Sequence, residues 1–169
     1  AGTGGHINPG IAIAEILQME GYNISWLGTP KGMENKLIDK IKFQFFALSI
    51  SGGRNIGLLK LIRLPFIVII STIQAIKALK VSQTKLLIVM GGYVSMPAAL
   101  AAKILNIKLI VHEQNSIPGL TNKILSFISN QNFSAFPNGL RKSKVIGNPI
   151  RKEIKQVRNP KKRFLNRKG

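Results

Sequence analysis

Close to the start of the chain, Gly2-Thr3-Gly4-Gly5-His6-Ile7-Asn8-Pro9-Gly10 gathers glycines, a hydroxyl and a histidine directly before an apolar periodic run from Ile11 to Leu17. Glycine lets the backbone approach a ligand closely and take positive φ, and a following helix aims unpaired N–H groups and its positive dipole end at an anion. A phosphate or pyrophosphate suits such a turn, and His6 adds a side chain able to move a proton near neutral pH. The order is GxGGH and not GxGxxG, and Ser25-Trp26-Leu27 stands where a dinucleotide site carries an acidic residue about twenty positions on. No GK[ST] follows, which excludes a P-loop. A plain strand-to-helix turn is the alternative reading. Later segments add Gly91-Gly92, the polar run Glu113-Gln114-Asn115, and Gly147-Asn148-Pro149-Ile150-Arg151, whose arginine can fork onto a phosphate.

The pattern of the chain supplies elements to hold these residues. Helical periodicity runs from Pro9 to Glu20, and Tyr22 to Gly28 reads as a strand closed by a Gly-Thr-Pro turn. A short helix is predicted over 32–41, a strand over 42–49 and a loop over 51–55. Leu86-Leu87-Ile88-Val89-Met90 is a continuous apolar run of the kind found in buried parallel strands, and Gly91-Gly92 follows it at once. An alanine-rich helix over 97–105, a strand over 108–112, a helix over 119–130 and short strands over 132–136 and 144–146 complete the series. Strands alternating with helices at this spacing predict a parallel α/β sheet of Rossmann-like build. Ligands bind such sheets at the carboxyl ends of the strands, where the loops 2–9, 91–97 and 113–119 fall.

At 169 residues the chain is one domain in size, and its 25 Lys and Arg against 6 Asp and Glu give a formal charge of +19. Polyanions, whether nucleic acid or an anionic membrane, are the partners such a surface attracts. An AT-rich coding sequence would itself raise Lys, Ile and Asn, so the placement of the charge matters more than its total. Cysteine is absent and only His6 and His112 occur, which rules out disulfides and argues against a metal centre. No signal peptide is read at the start, which lacks an initiator methionine and predicts that the natural beginning lies upstream. Residues 1–150 form the predicted domain, and the basic stretch 151–169, poor in core residues, reads as a linker.

From Ile56 to Leu79 the chain is densely apolar. Lys60, Arg63 and Pro65 interrupt it, and the uncharged run from Leu64 to Ile76 falls short of the ~20 residues that a transmembrane helix requires. Two readings stay open: a helix pair in the core, or an interfacial helix with apolar side chains in a bilayer and cations at the headgroups. No acid occurs between Asp39 and Glu113 while cations are frequent there, which suits an anionic membrane.

Taken together, Gly2 to His6 with Asn8-Pro9-Gly10, Gly91-Gly92-Tyr93-Val94-Ser95-Met96-Pro97 running on to Ala102, His112 to Lys123, and Gly147 to Arg151 closely resemble the lipid-linked N-acetylglucosaminyltransferases of peptidoglycan synthesis, the MurG-type family. The resemblance covers essentially the whole chain. It implies the N-terminal, acceptor domain of a two-domain GT-B glycosyltransferase, with an initial strand before Gly2 and a C-terminal donor domain after Gly169. The implied reaction moves N-acetylglucosamine from UDP-N-acetylglucosamine to the C4 hydroxyl of undecaprenyl-pyrophosphoryl-N-acetylmuramyl-pentapeptide, inverting the anomer, with no cofactor and no metal ion. By the same resemblance, Thr3, Gly4 and Gly5 lie near donor and acceptor pyrophosphates, Gly91, Gly92 and Tyr93 form a second glycine loop, and Asn115 and Arg151 face the UDP-sugar. His6 is the candidate base and Glu113 the alternative, each with a purely structural role as its competitor. Leu58, Lys60, Leu61, Ile62, Arg63, Phe66 and Ile67 align with the family's membrane patch, which implies peripheral attachment to the cytoplasmic face of the bacterial inner membrane. Without the donor half, the chain alone is expected to lack turnover. The competing class is a non-catalytic basic α/β module binding membrane or polyanion; the absence of interleaved aromatic platforms argues against RNA.

Overall fold

The computed structural model describes residues 4–38, 42–50, 58–137 and 139–150, without the side chains of 58–62. Thr3, Arg151 and the predicted linker lie outside the described residues. The elements run α1 (Gly4–Met19), β1 (Ser25–Gly28), α2 (Glu34–Leu37), β2 (Gln44–Ala47), α3 (Leu58–Val81), β3 (Leu86–Val89), α4 (Ser95–Ile104), β4 (Lys108–Glu113), α5 (Leu120–Leu125), β5 (Gln131–Ser134) and β6 (Ser143–Val145). Among the described residues every strand pairing is parallel, as the alternation predicts. These strands pair as two ladders, β1-β2 and β3-β4-β5-β6. Helix α1 spans both: at Gly10 an added Cβ would lie 2.8 Å from the Trp26 ring and 3.5 Å from Met90, so only glycine lets the helix sit this close to β1 and the end of β3.

Three apolar clusters hold the layers together. Ile7, Ala14, Ile38 and Phe43 pack with Trp26 and Phe45 beneath α1. Leu48, Ile50, Ala75, Leu79, Val94, Ala101 and Ala102 join β2, α3 and α4. Val89, Leu109 and Val111 meet Ala99 and Leu125 between the larger sheet and α4 and α5. The alanines of α4 are almost wholly buried, and their small size lets α3 and the sheet close on it from different sides.

Helix ends are set by a repeated device. After α1, Tyr22 N–H donates to Leu17 O and Gly21 N–H to Gln18 O, with Gly21 at φ +88, a Schellman cap. The same bonding ends α3 at Gln83 (φ +49) and α4 at Asn106 (φ +54), where non-glycine residues take the left-handed conformation.

Several boundaries differ from the sequence reading. Helix α1 begins at Gly4, so Gly4 and Gly5 are its first turn and not a free loop; burial of Ile7 and Pro9 against the core outweighs their weak helical propensity. Helix α2 is a single turn. The apolar stretch is one helix of 24 residues that runs through Pro65, not a pair. Helix α5 stops at Leu125, where the Ser126 hydroxyl takes the Lys123 carbonyl at 2.6 Å and competes with the helical ladder.

Candidate functional site

β3 and β4 lie side by side in register, Val89 opposite Val111, so the segments leaving their carboxyl ends emerge together. After β3 the chain turns through Gly91 (φ +97) and Gly92 (φ +82), and Ser95 Oγ donates to Gly91 O at 2.7 Å as α4 begins. A Cβ at Gly91 would lie 3.0 Å from both the His6 ring and the Asn122 amide. The first turn of α1, the second glycine turn and α5 therefore converge on one point. The N–H groups that open α1 have no partner within the helix and give this point a positive field.

β4 ends in His112 and Glu113, both buried. Glu113 Oε1 accepts from the Asn115 backbone N–H and side-chain amide, each at 2.9 Å. Its Oε2 accepts from Gly119 N–H at 3.0 Å and Asn122 Nδ2 at 2.9 Å. The carboxylate thus closes loop 114–119 around itself. His112 faces the other way: its Nε2 is 3.1 Å from Gly147 O and its Nδ1 3.3 Å from Gln114 Nε2. A carbonyl only accepts and an amide NH2 only donates, so His112 is the neutral Nε2–H tautomer. Asn148 Nδ2 donates to Gln114 O at 3.2 Å and completes the tie between the loop and segment 147–150.

Burial pushes the His6 imidazole below its ordinary value of 6.5, and the Glu113 charge holds it partly up. Burial likewise lowers His112, against the Gly147 carbonyl and the Glu113 charge. Both imidazoles are neutral at pH 7. Among the described residues no three His, Asp or Glu side chains gather as a cation cage would need.

The structure brings Gly4, Gly5, His6, Gly91, Gly92, Glu113 and Asn115 to this end of the molecule. Tyr93 packs instead against the cluster of Leu48 and Val94. Asn122, His112, Gln114 and Asn148 also carry the bonding; all four lie in the segments the sequence points to, but none is among its candidate catalytic or binding residues. Asn122 was legible: in Leu120-Thr121-Asn122-Lys123-Ile124-Leu125 it shares a helix face with Leu125, an amide at a core position.

The patch predicted on α3 is reshaped. Of its residues, Leu58, Lys60, Leu61 and Ile62 have side chains outside the described set, Arg63 and Phe66 are exposed, and Ile67 turns toward the core cluster. The outward face is Phe66, Ile69, Ile70 and Ile73, at helical spacing, with Arg63 and Lys77 also exposed. Ser71, Ala75, Ala78 and Leu79 form the buried face. The segment Arg63–Val81 is long and apolar enough to cross a bilayer, contrary to the sequence estimate, which stopped at the cations. Its packing against α4 uses one face for the core and leaves Phe66, Ile69, Ile70 and Ile73 exposed on another.

Residues 1–134 match the glycosyltransferase family 28 N-terminal domain. Over 168 residues the chain is 44% identical to the UDP-N-acetylglucosamine--N-acetylmuramyl-(pentapeptide) pyrophosphoryl-undecaprenol N-acetylglucosamine transferase of Aliivibrio fischeri, covering 99% of this chain and 48% of that protein. The enzyme of the same name from Vibrio cholerae is 40% identical over the same length, again with 48% of it covered. The crystal structure of Acinetobacter baumannii MurG superposes with a TM-score of 0.76 at 38% identity, covering 87% of this chain and 43% of that one. The chain spans about half the length of these relatives. By its match over residues 1–134, its parallel α/β fold and these likenesses, the chain belongs to glycosyltransferase family 28.

Proposed function

We propose that this chain is the acceptor half of a transferase that moves N-acetylglucosamine from UDP-N-acetylglucosamine to the C4 hydroxyl of undecaprenyl-pyrophosphoryl-N-acetylmuramyl-pentapeptide. The observation that carries the reading is the convergence of the α1 first turn, His6, the Gly91-Gly92 turn and the Glu113 loop at the ends of β3 and β4. The N–H groups of the first turn of α1, which the helix's own ladder does not use, offer a seat for a pyrophosphate. His6, neutral because burial lowers its pKa, takes the C4 proton as that oxygen bonds to the sugar C1 and the bond from C1 to the UDP oxygen breaks, inverting the anomer. By the family likeness, Asn115 and Arg151 contribute to binding the UDP-sugar. The outward face of α3, Phe66, Ile69, Ile70 and Ile73 with basic neighbours, lies on the cytoplasmic surface of the inner membrane, where the lipid-linked acceptor is found.

Transfer requires both substrates held together, so residues 1–169 alone bind acceptor without turning it over. The test is a transfer assay with labelled UDP-N-acetylglucosamine and a short-chain prenyl-pyrophosphoryl muramyl-pentapeptide. The chain is assayed alone and mixed with the remaining half of the Aliivibrio fischeri relative. Disaccharide formed only in the mixture supports the proposal. Turnover by the chain alone, or none in a mixture where the two halves associate, contradicts it and favours a membrane- or polyanion-binding module.

A further inference from the structure

We propose that Glu113 is a positioning residue and not a proton acceptor: its carboxylate is the hub that folds loop 114–119 and orients Asn122 against Gly91 and His6. The reading of what the loop serves rests on the proposed transfer reaction; the hub itself rests on geometry.

A carboxylate offers about four lone-pair directions. Four N–H donors fill them here: Asn115 N and Nδ2 on Oε1, and Gly119 N and Asn122 Nδ2 on Oε2. All are neutral groups of the same chain, and Glu113 has no exposed surface. A general base needs a lone pair open to the hydroxyl it serves, within hydrogen-bond reach. Glu113 has none to offer without breaking the loop.

Asn122 shows how firmly the hub sets its surroundings. Its Nδ2 also reaches His112 O at 3.2 Å, while its Oδ1 is buried without a partner. Turning the amide over would relieve nothing, because Oδ1 would then face the carboxylate. The orientation of the amide beside Gly91 and His6 is therefore dictated by Glu113.

The fold offers a direct perturbation. Gly119 has φ −65 and open space where a Cβ would stand, so proline suits its backbone; the ring removes the N–H and sets its Cδ where that proton met Glu113 Oε2, which breaks this arm of the hub. Gly119→Ala keeps the N–H and is the matched control. In Gly119→Pro, hydrogen exchange of the Asn115 amide and of the Asn122 side-chain amide is expected to quicken at least tenfold; in Gly119→Ala it stays unchanged. Glu113→Gln turns its own NH2 toward donors, so the same protons lose protection, and loss of the charge lowers the His6 pKa seen by NMR titration. If exchange and the His6 titration stay as in the unaltered chain in both Gly119→Pro and Glu113→Gln, the hub is overturned.

A second arm uses the two-half transfer assay. A positioning role predicts that Glu113→Gln lowers kcat or raises KM while the acidic limb of the pH profile persists, carried by His6. Loss of that limb would identify Glu113 as the base and refute the proposal. Should the assay show no transfer at all, the exchange and titration results still decide whether the hub exists.

Discussion

Replacing Gly91 by alanine tests the junction of α1, the glycine turn and α5 through its cost. Two contributions are separable. The backbone at φ +97 disfavours any Cβ, by about 1–2 kcal/mol. The added methyl would then lie 3.0 Å from His6 Cδ2 and from Asn122 Nδ2, inside ordinary contact distance. Asn122 cannot easily yield, because its Nδ2 is bonded at 2.9 Å to Glu113 and 3.2 Å to His112. Overpacking of this kind costs about 1–3 kcal/mol. Gly21→Ala provides the reference: Gly21 has φ +88 with nothing within 4 Å of the added Cβ, so it bears the backbone cost alone. Urea unfolding followed by Trp26 fluorescence measures both. With a slope of about 2 kcal/mol/M, Gly91→Ala should unfold about 0.5–1.5 M earlier than Gly21→Ala. Equal midpoints would show that His6 and Asn122 do not close on Gly91, and the site as described would fail.

His6 and His112 both have folded pKa values below 6.5, so the unfolded chain binds more protons as pH falls beneath that value. Stability should be full above about pH 6.5 and decline as pH drops through the lowered values; urea midpoints at pH 7.5 and 5.5 check this, and a flat profile would contradict the burial of both rings. Changing Phe66, Ile69 and Ile70 to serine should abolish sedimentation with anionic vesicles while the thermal midpoint stays near that of the unaltered chain, because these side chains face outward. Retained sedimentation would remove α3 as the membrane face. Gln83→Gly should stabilise the chain by about 0.5–1 kcal/mol, since Gln83 holds φ +49 at the cap of α3; a loss of stability in urea unfolding would count against that cap.

The alternation of strands and helices was legible because apolar runs such as Leu86–Val89 are followed at once by glycine turns, a local signal of a buried strand and its exit. Boundaries were less so. Gly4 and Gly5 read as loop because glycine disfavours helix, yet the packing of Ile7 and Pro9 carries α1 back to them. The inward turn of Ile67 depends on its packing against the cluster of Leu48, Ile50 and the α4 alanines, distant partners that the local sequence does not contain. Within the site, glycines and charged residues stood out by type, while the partners that fix them did not. His112 and Gly147 are 35 positions apart, and Glu113 and Asn122 nine; such pairs arise from topology and leave no periodic trace. Asn122 is the exception, an amide on the buried face of a short helix.

The central claim is that the acceptor pyrophosphate sits at the start of α1 beside Gly91 and the Glu113 loop. Titrating the isotope-labelled chain with a short-chain prenyl-pyrophosphoryl muramyl-pentapeptide, and following backbone amides and the His6 ring by NMR, tests it directly. Saturable shifts at Gly4, Gly5, His6, Gly91, Gly92 and Gly119, absent with the prenyl alcohol alone, are predicted. Saturable binding that leaves those signals unmoved, or no binding at millimolar acceptor, would contradict it.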